Sequence, residues 1–240
     1  MPLPTIATPT YELELPSTGK KIKYRPFLVK EEKLLVLALE TESTKDISNA
    51  IKTVLKNCIQ TRGVKVENLP TFDIEYLFLN IRGKSVGEEV EVNLIAPDDG
   101  DTQVPVTIQI DDIKIQKNED HTNKIQLDND LIMEMRYPSL DQFIKANFDF
   151  SDGEVSMDQS FDLIATCIDS IYNEEEVWST SDCTKKEVKD FLEQMNSLQF
   201  KYIEKFFDTM PKLSHSVTFT NPKTKVESTV VLEGLSSFFA

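Results

Sequence analysis

From Val90 to about Met135 apolar residues recur at every second position, and on both sides of that stretch they recur every third or fourth. A strand presents one face with period two and a helix with period 3.6, so the switch of period forces an α+β fold. Val90, Val92 and Leu94 alternate, then Val104, Val106, Ile108 and Ile110, then Ile113 and Ile115. After a polar loop at Lys117 to Thr122 come Ile125 and Leu127, then Leu131, Met133 and Met135. The pattern predicts a small antiparallel β-module of four or five short strands, inserted into a mostly helical body.

Ahead of this module, Tyr11 to Leu15 alternates, Ser17-Thr18-Gly19 turns and Ile22 to Phe27 returns, which predicts an N-terminal hairpin. Glu31 to Thr41 is apolar around most of a helical circumference and is therefore expected to be deeply buried. Ile47, Ile51, Val54, Leu55, Cys58 and Ile59 mark one face of a second helix, with Cys58 read as a small core residue. Thr71 is placed to cap a third helix that runs to about Arg82 and is broken by Gly83 to Gly87.

Behind the module the spacing predicts mainly helix. A short one is expected at Leu140 to about Asn147, and Phe161, Ile164, Ala165, Ile168, Ile171 and Tyr172 form a long helical stripe. Val188, Phe191, Leu192 and Met195 form another, opened by Thr184 with Glu187 three residues on, a capping box. Ser197 starts a further helix through Phe200, Ile203, Phe206, Phe207 and Met210, stopped by Pro211. Trp178, the sole tryptophan, is read as an anchor on the surface of the last helical layer. Ser216 to Thr220 and Val226 to Leu232 predict a C-terminal hairpin turning through Asn221-Pro222-Lys223, followed by a short helix. These patterns place domain borders at 1–83, 84–137 and 138–240.

The 240 residues, 40% hydrophobic, suffice for one large or two small cores. The longest strongly apolar run, Leu34 to Leu39, is too short to cross a bilayer, and the opening MPLPTIATPTYELEL lacks the marks of a secretory signal. A cytosolic origin is expected, and Cys58, Cys167 and Cys183, odd in number and widely spaced, fit a reducing compartment. A formal charge of −15 argues against nucleic acid as a partner and would limit self-association. The local exception, Lys20, Lys21, Lys23 and Arg25, is read as a solvated strand face, because no aromatic platform or groove-reading helix accompanies it.

No reaction chemistry stands out. There is no GxGxxG, no Walker loop and no HExxH. His121 lies in a polar loop, and His215 stands between Ser214 and Ser216, whose side chains would leave a strand on the opposite face. The acidic pairs Asp98-Asp99, Asp111-Asp112, Asp128 with Asp130, and Glu174-Glu175-Glu176 all lie in turn-like stretches where solvation keeps carboxylates ionised. The knot Pro97-Asp98-Asp99-Gly100-Asp101 lacks the register of a calcium loop. Its Pro-x-x-Gly corner has the shape of a zinc knuckle, repeated at Thr220-Asn221-Pro222-Lys223, but neither corner holds a Cys. These are ordinary hairpins, or degenerate knuckles whose metal has been replaced by packing and turn chemistry. No metal site, no cofactor and no catalytic residue are expected.

Three blocks, STGKKIKYRPFLVKEEKLLVLALE (Ser17 to Glu40), FDIEYLFLNIRGKSVGEEVEV (Phe72 to Val92) and the closing FFDTMP…VLEGLSSFF, together resemble the baseplate hub protein family of T4-like contractile-tailed phages. Members of that family often carry Cys-x-x-Cys knuckles where this chain has Ala96 to Gly100 and Thr220 to Lys223, so zinc is not carried over. The resemblance implies a non-enzymatic late protein that builds the tail hub through protein–protein contacts. Its expected places are the host cytoplasm during assembly and then the virion. Other hub proteins, with the tape-measure protein among the candidates, are the implied partners; no membrane is. A transient assembly chaperone absent from the virion is the alternative, and a hub-associated cell-wall hydrolase a remote one.

For the contacts themselves, the C-terminal Leu235, Phe238 and Phe239 are the first candidate interface. Termini fray unless docked, so this apolar turn packs either on its own domain, the preferred reading, or on another protein. The segment from Tyr24 through Phe27 to Leu37 is the second candidate, with core again preferred.

Overall fold

A computed structural model describes residues 6–41, 43–140 and 157–238. It is an α+β structure, with six helices and several small antiparallel sheets among the described residues. The chain divides into two compact units. Unit 1 takes residues 1–66, 72–116 and 212–240; unit 2 takes 67–71 and 117–211.

In unit 1, β1 (Tyr11–Glu14) and β2 (Lys21–Tyr24) form the expected hairpin. Its turn is pinned to α3 (Thr71–Val86), where the buried Asp73 carboxylate accepts from the Ser17 N–H at 3.0 Å and from the Ser17 hydroxyl. Two helices, α1 (Val29–Leu39) and α2 (Thr44–Cys58), lie between them in sequence. Then come β3 (Glu89–Ile95) and β4 (Gln103–Gln109), a hairpin in which Val90 faces Ile108 and Val92 faces Val106. The strand β5 (Lys114–Gln116) pairs with β10 (Lys212–Thr220), which pairs in turn with β11 (Glu227–Glu233). Alternation turns Val90, Val92, Leu94 and Ile108 of one hairpin toward Val217, Phe219 and Leu232 of the other, and Leu79 of α3 joins this core.

In unit 2, β6 (Lys124–Gln126), β7 (Ile132–Met135), β8 (Ile168–Tyr172) and β9 (Val177–Ser179) make a four-stranded sheet in that order. Against it pack α4 (Met157–Cys167), α5 (Lys185–Glu193) and α6 (Ser197–Thr209), with Met133, Met135, Cys167, Ile168, Leu192 and Ile203 at the centre of the core. Thr184 caps α5 in the expected box with Glu187, and Asn196 caps α6 in a second box with Gln199.

Several expectations need correction. The stretch 84–137 is not a separate module, because its strands find partners elsewhere: β5 joins β10, while β6 and β7 join β8. The borders at 1–83, 84–137 and 138–240 therefore give way to two interleaved units. The stripe from Phe161 is helical only to Cys167; Ile168 to Tyr172 adds to β7 as β8, and Trp178 sits on β9 rather than on a helical layer. Gly83 does not end α3. A methyl group there would stand 3.1 Å from Ile110 Cδ1, so glycine serves a close approach, and the helix runs on to Val86 before Gly87 at φ 143°. Thr71 does not act as a cap outside α3 but is its first residue. The short helix expected at Leu140 to Asn147 lies almost wholly outside the described residues.

Candidate protein-interaction site

The two knuckle-like corners meet within unit 1. Asp98 at the tip of the β3–β4 hairpin accepts from Asn221 Nδ2 at 3.1 and 3.2 Å and from the Thr224 hydroxyl. Asn221 is fully buried, and its Oδ1 accepts the Lys223 and Thr224 N–H groups at 2.9 and 3.4 Å. Asp99 closes its own turn by accepting from Asp101 N–H, Thr102 N–H and the Thr102 hydroxyl. Hydrogen bonds from Thr224 and Asn221 hold the Asp98 carboxyl below its ordinary range, and those from Thr102 and Asp101 do the same for Asp99. These donors tie the two corners together.

The sequence-derived interface residues are placed as follows. Tyr24 and Phe27 are buried, 2% and 9% exposed, and belong to the interior of unit 1. Phe238 is wholly buried in the core of the two hairpins. As exposed anchors these three are corrected to core, the reading the sequence preferred. Leu235 is partly buried against the same core, and its N–H donates to Glu75 Oε1 at 3.1 Å. Burial pushes the Glu75 carboxyl up to about 7, against the pull of that hydrogen bond. Phe239 lies outside the described residues.

Exposed apolar surface lies instead on α1. Only Glu31 and Ala38 of this helix are buried, while Val29 is 79% exposed and Val36, Leu37 and Leu39 are 49 to 54% exposed. The expectation of deep burial fails because all-round apolarity says that a helix wants covering, not that its own chain covers it. The buried edge is fixed by an ion pair: Arg25 Nη2 stands 3.0 Å from Glu31 Oε1, and Glu31 Oε2 accepts the Leu28 N–H at 2.8 Å. Burial alone would raise the Glu31 carboxyl, but the bonds from Arg25 and Leu28 outweigh it and the net shift is down. Arg25 thereby leaves the basic strip, and Lys21 pairs with Glu12 at 3.5 Å. Val29, Val36 and Leu37 fall within the second candidate segment, Tyr24 to Leu37, which the sequence read as core; Leu39 ends the apolar run that begins at Leu34.

Three potentially reactive groups, His121, Cys58 and Cys167, are packed or bonded within their units. His121 stacks on Tyr137 and lies tilted against Phe206. Thr209 spends its hydroxyl proton on the Lys205 carbonyl, so His121 Nδ1–H donates to Thr209 Oγ1 and Nε2 accepts from the Tyr137 hydroxyl, both at 2.9 Å. Burial lowers the His121 pKa. The Cys58 and Cys167 thiols are buried and pushed up to about 11 and about 12, which keeps them protonated and poor nucleophiles at neutral pH. No group of three or more His, Cys, Asp or Glu side chains among the described residues is arranged to hold a metal ion, and no helix among them is long and apolar enough to cross a membrane.

What the geometry offers is a two-hairpin scaffold tied at its corners and a helix with exposed apolar side chains. No curated protein and no solved structure matches the chain. A family model described as T4 bacteriophage base plate protein matches residues 8–240. That span covers nearly the whole sequence, and the chain belongs to the T4 bacteriophage base plate protein family.

Proposed function

We propose that this base plate protein is a non-enzymatic subunit of the baseplate hub, retained in the virion tail and seated there through α1 against a neighbouring hub protein. The observation that carries the reading is the exposure of Val29, Val36, Leu37 and Leu39 on one short helix. At roughly 25 cal/mol per Å² of apolar surface removed from water, covering these side chains supplies several kcal/mol to an assembly contact. A folded chain that leaves such a helix uncovered gains by meeting a partner. The family supports a place in the baseplate, and the hub assignment rests on the three sequence blocks described above.

The test is quantitative mass spectrometry of purified virions beside infected-cell lysate, for the natural chain and for a Val36→Glu/Leu37→Glu variant. A fixed few copies per tail are expected for the natural chain. The variant should keep its melting temperature, because both side chains are exposed, and be lost from tails. Abundance in lysate with absence from virions would make the protein a transient assembly factor instead. Normal incorporation of the variant would remove α1 as the seat.

A further inference from the structure

We propose that the outer edge of β9 in unit 2 is a docking site for an extended, basic segment of a partner protein, which adds to the sheet as a further strand. This inference concerns the unit that does not carry α1, and it stands whether or not the chain is retained in the hub.

The edge is open. In the order β6-β7-β8-β9 the last strand has β8 as its one strand neighbour among the described residues, so no strand pairs with its far side. The Ser179 carbonyl accepts from the Cys183 thiol at 3.5 Å, a weak bond that an incoming strand can displace. Protein sheets usually blunt such edges by keeping them very short or with Lys, Pro or bulges. This one is short, but it carries no Lys or Pro and presents Val177, 71% exposed, and Trp178, 42% exposed. Tryptophan is the residue most enriched where binding energy concentrates. Strand addition is a recurring way to use such an edge, with main-chain bonds giving affinity and side chains giving specificity.

Charge selects the occupant. The β8–β9 turn carries Glu174, Glu175 and Glu176, all exposed. Asn173 Oδ1 accepts the Glu175 and Glu176 N–H groups at 2.9 and 2.7 Å, so the turn that bears these carboxylates is already ordered. Behind it, unit 2 holds twenty-two Asp and Glu against nine Lys and Arg. That field repels nucleic acid and repels unit 2 of a second copy, while it steers a basic segment inward. The aromatic faces of the hairpin point the same way. Lys124 Nζ already lies 5.9 Å from the centroid of Tyr172, whereas Trp178 has no ring or cation contact among the described residues. An incoming Lys or Arg can occupy the indole face.

Trp178 is the only tryptophan, so its emission reports directly on this edge. The full-length protein is titrated with a synthetic peptide in which Lys and Arg alternate with Val. A saturable change in Trp178 emission at physiological salt is expected, weakening as salt rises. Replacing Glu174, Glu175 and Glu176 together by Gln should weaken binding by about tenfold, from three exposed charge pairs. Asn173 holds the turn through backbone N–H groups, so the Gln variant keeps its fold, which far-UV circular dichroism checks. A peptide of the same charge, N-methylated at alternate residues, should not bind. Equal binding of the N-methylated peptide would refute strand addition, and equal binding by the Gln variant would refute charge selection. No saturable change with the natural chain overturns the proposal, as does emission that changes with protein concentration alone, which would make the occupant a second copy.

Discussion

Unit 1 carries seventeen Lys and Arg against nineteen Asp and Glu, while unit 2 carries nine against twenty-two, so nearly all of the chain's charge of −15 belongs to one of its two units. The cores differ as well. Both bury aromatic side chains and a cysteine, Phe219, Phe238 and Cys58 in unit 1 and Phe206 and Cys167 in unit 2, but among the described residues only unit 2 buries methionines, Met133 and Met135. A single net charge suggested a uniformly acidic surface that resists association. Divided by unit, it describes a near-neutral body with an uncovered aliphatic helix and an acidic body with an uncovered tryptophan edge. Apolar burial dominates the first kind of contact and charge the second, so salt should affect them differently.

The sharpest way to break this comparison is to remove Phe238, the wholly buried side chain that ties the C-terminal turn into unit 1. Phe238→Ala should cost about 3–5 kcal/mol in that unit. Trp178 belongs to unit 2, so its emission follows unit 2, while far-UV circular dichroism follows both. The expected outcome is a large early loss of dichroism with the fluorescence midpoint moved much less. Coincident shifts of the two signals would mean that the units unfold as one, and the comparison would lose its thermodynamic content.

Mild acid should sharpen the comparison, because the two units respond with opposite sign. In unit 1 the folded pKa of Glu75, raised by burial to about 7, lies above its ordinary 4.5. Its contribution is therefore full below about 4.5 and is lost as pH rises through about 7. In unit 2 burial lowers the His121 pKa below its ordinary 6.5. The unfolded chain then takes up a proton that the folded one refuses, and stability is lost as pH falls below 6.5. Protonation would also turn His121 Nε2 from acceptor to donor and force the Tyr137 hydroxyl to turn. Between pH 7 and 5, hydrogen exchange corrected for intrinsic rates should slow in α3 and quicken in β7 and α6. Glu75→Gln should abolish the first change and leave the second. Parallel changes in both units would contradict these assignments.

What could be read from sequence and what could not divides along contact range. The hairpins, the Thr184–Glu187 box and the stop at Pro211 were legible because each is written within a few residues. The strand at Ile168 to Tyr172 was not, since its β character comes from pairing with Ile132 to Met135, far away in the chain. The pairing of β5 with β10, which dissolves the expected module, is remote in the same way. At the candidate sites the apolarity of α1 and the solitary Trp178 were visible, but whether the chain covers them is a property of packing. The corner at Asp98 shows both sides at once. Its lack of thiolates was plain in sequence, and its partner Asn221, 123 positions away, was recognisable only as a second corner of the same shape.

That corner supplies the smallest of the three effects and bears on how unit 1 holds together without thiolates. Asn221→Ala removes a fully buried amide whose Nδ2 serves Asp98 and whose Oδ1 serves two backbone N–H groups. Leaving those partners unsatisfied should cost about 1–3 kcal/mol, read as a lower dichroism midpoint with the Trp178 signal unmoved. Asn221→Asp keeps the Oδ1 acceptor but sets a second carboxylate against Asp98. It should destabilise more than alanine at pH 7 and recover as pH falls and the pair shares a proton. Hydrogen bonds that merely decorate a corner already held by core packing would leave both variants at the natural midpoint. The β3–β4 and β10–β11 tips would then owe their contact to Val92, Val217 and Phe219 alone, and unit 1 would be held, like unit 2, by its core.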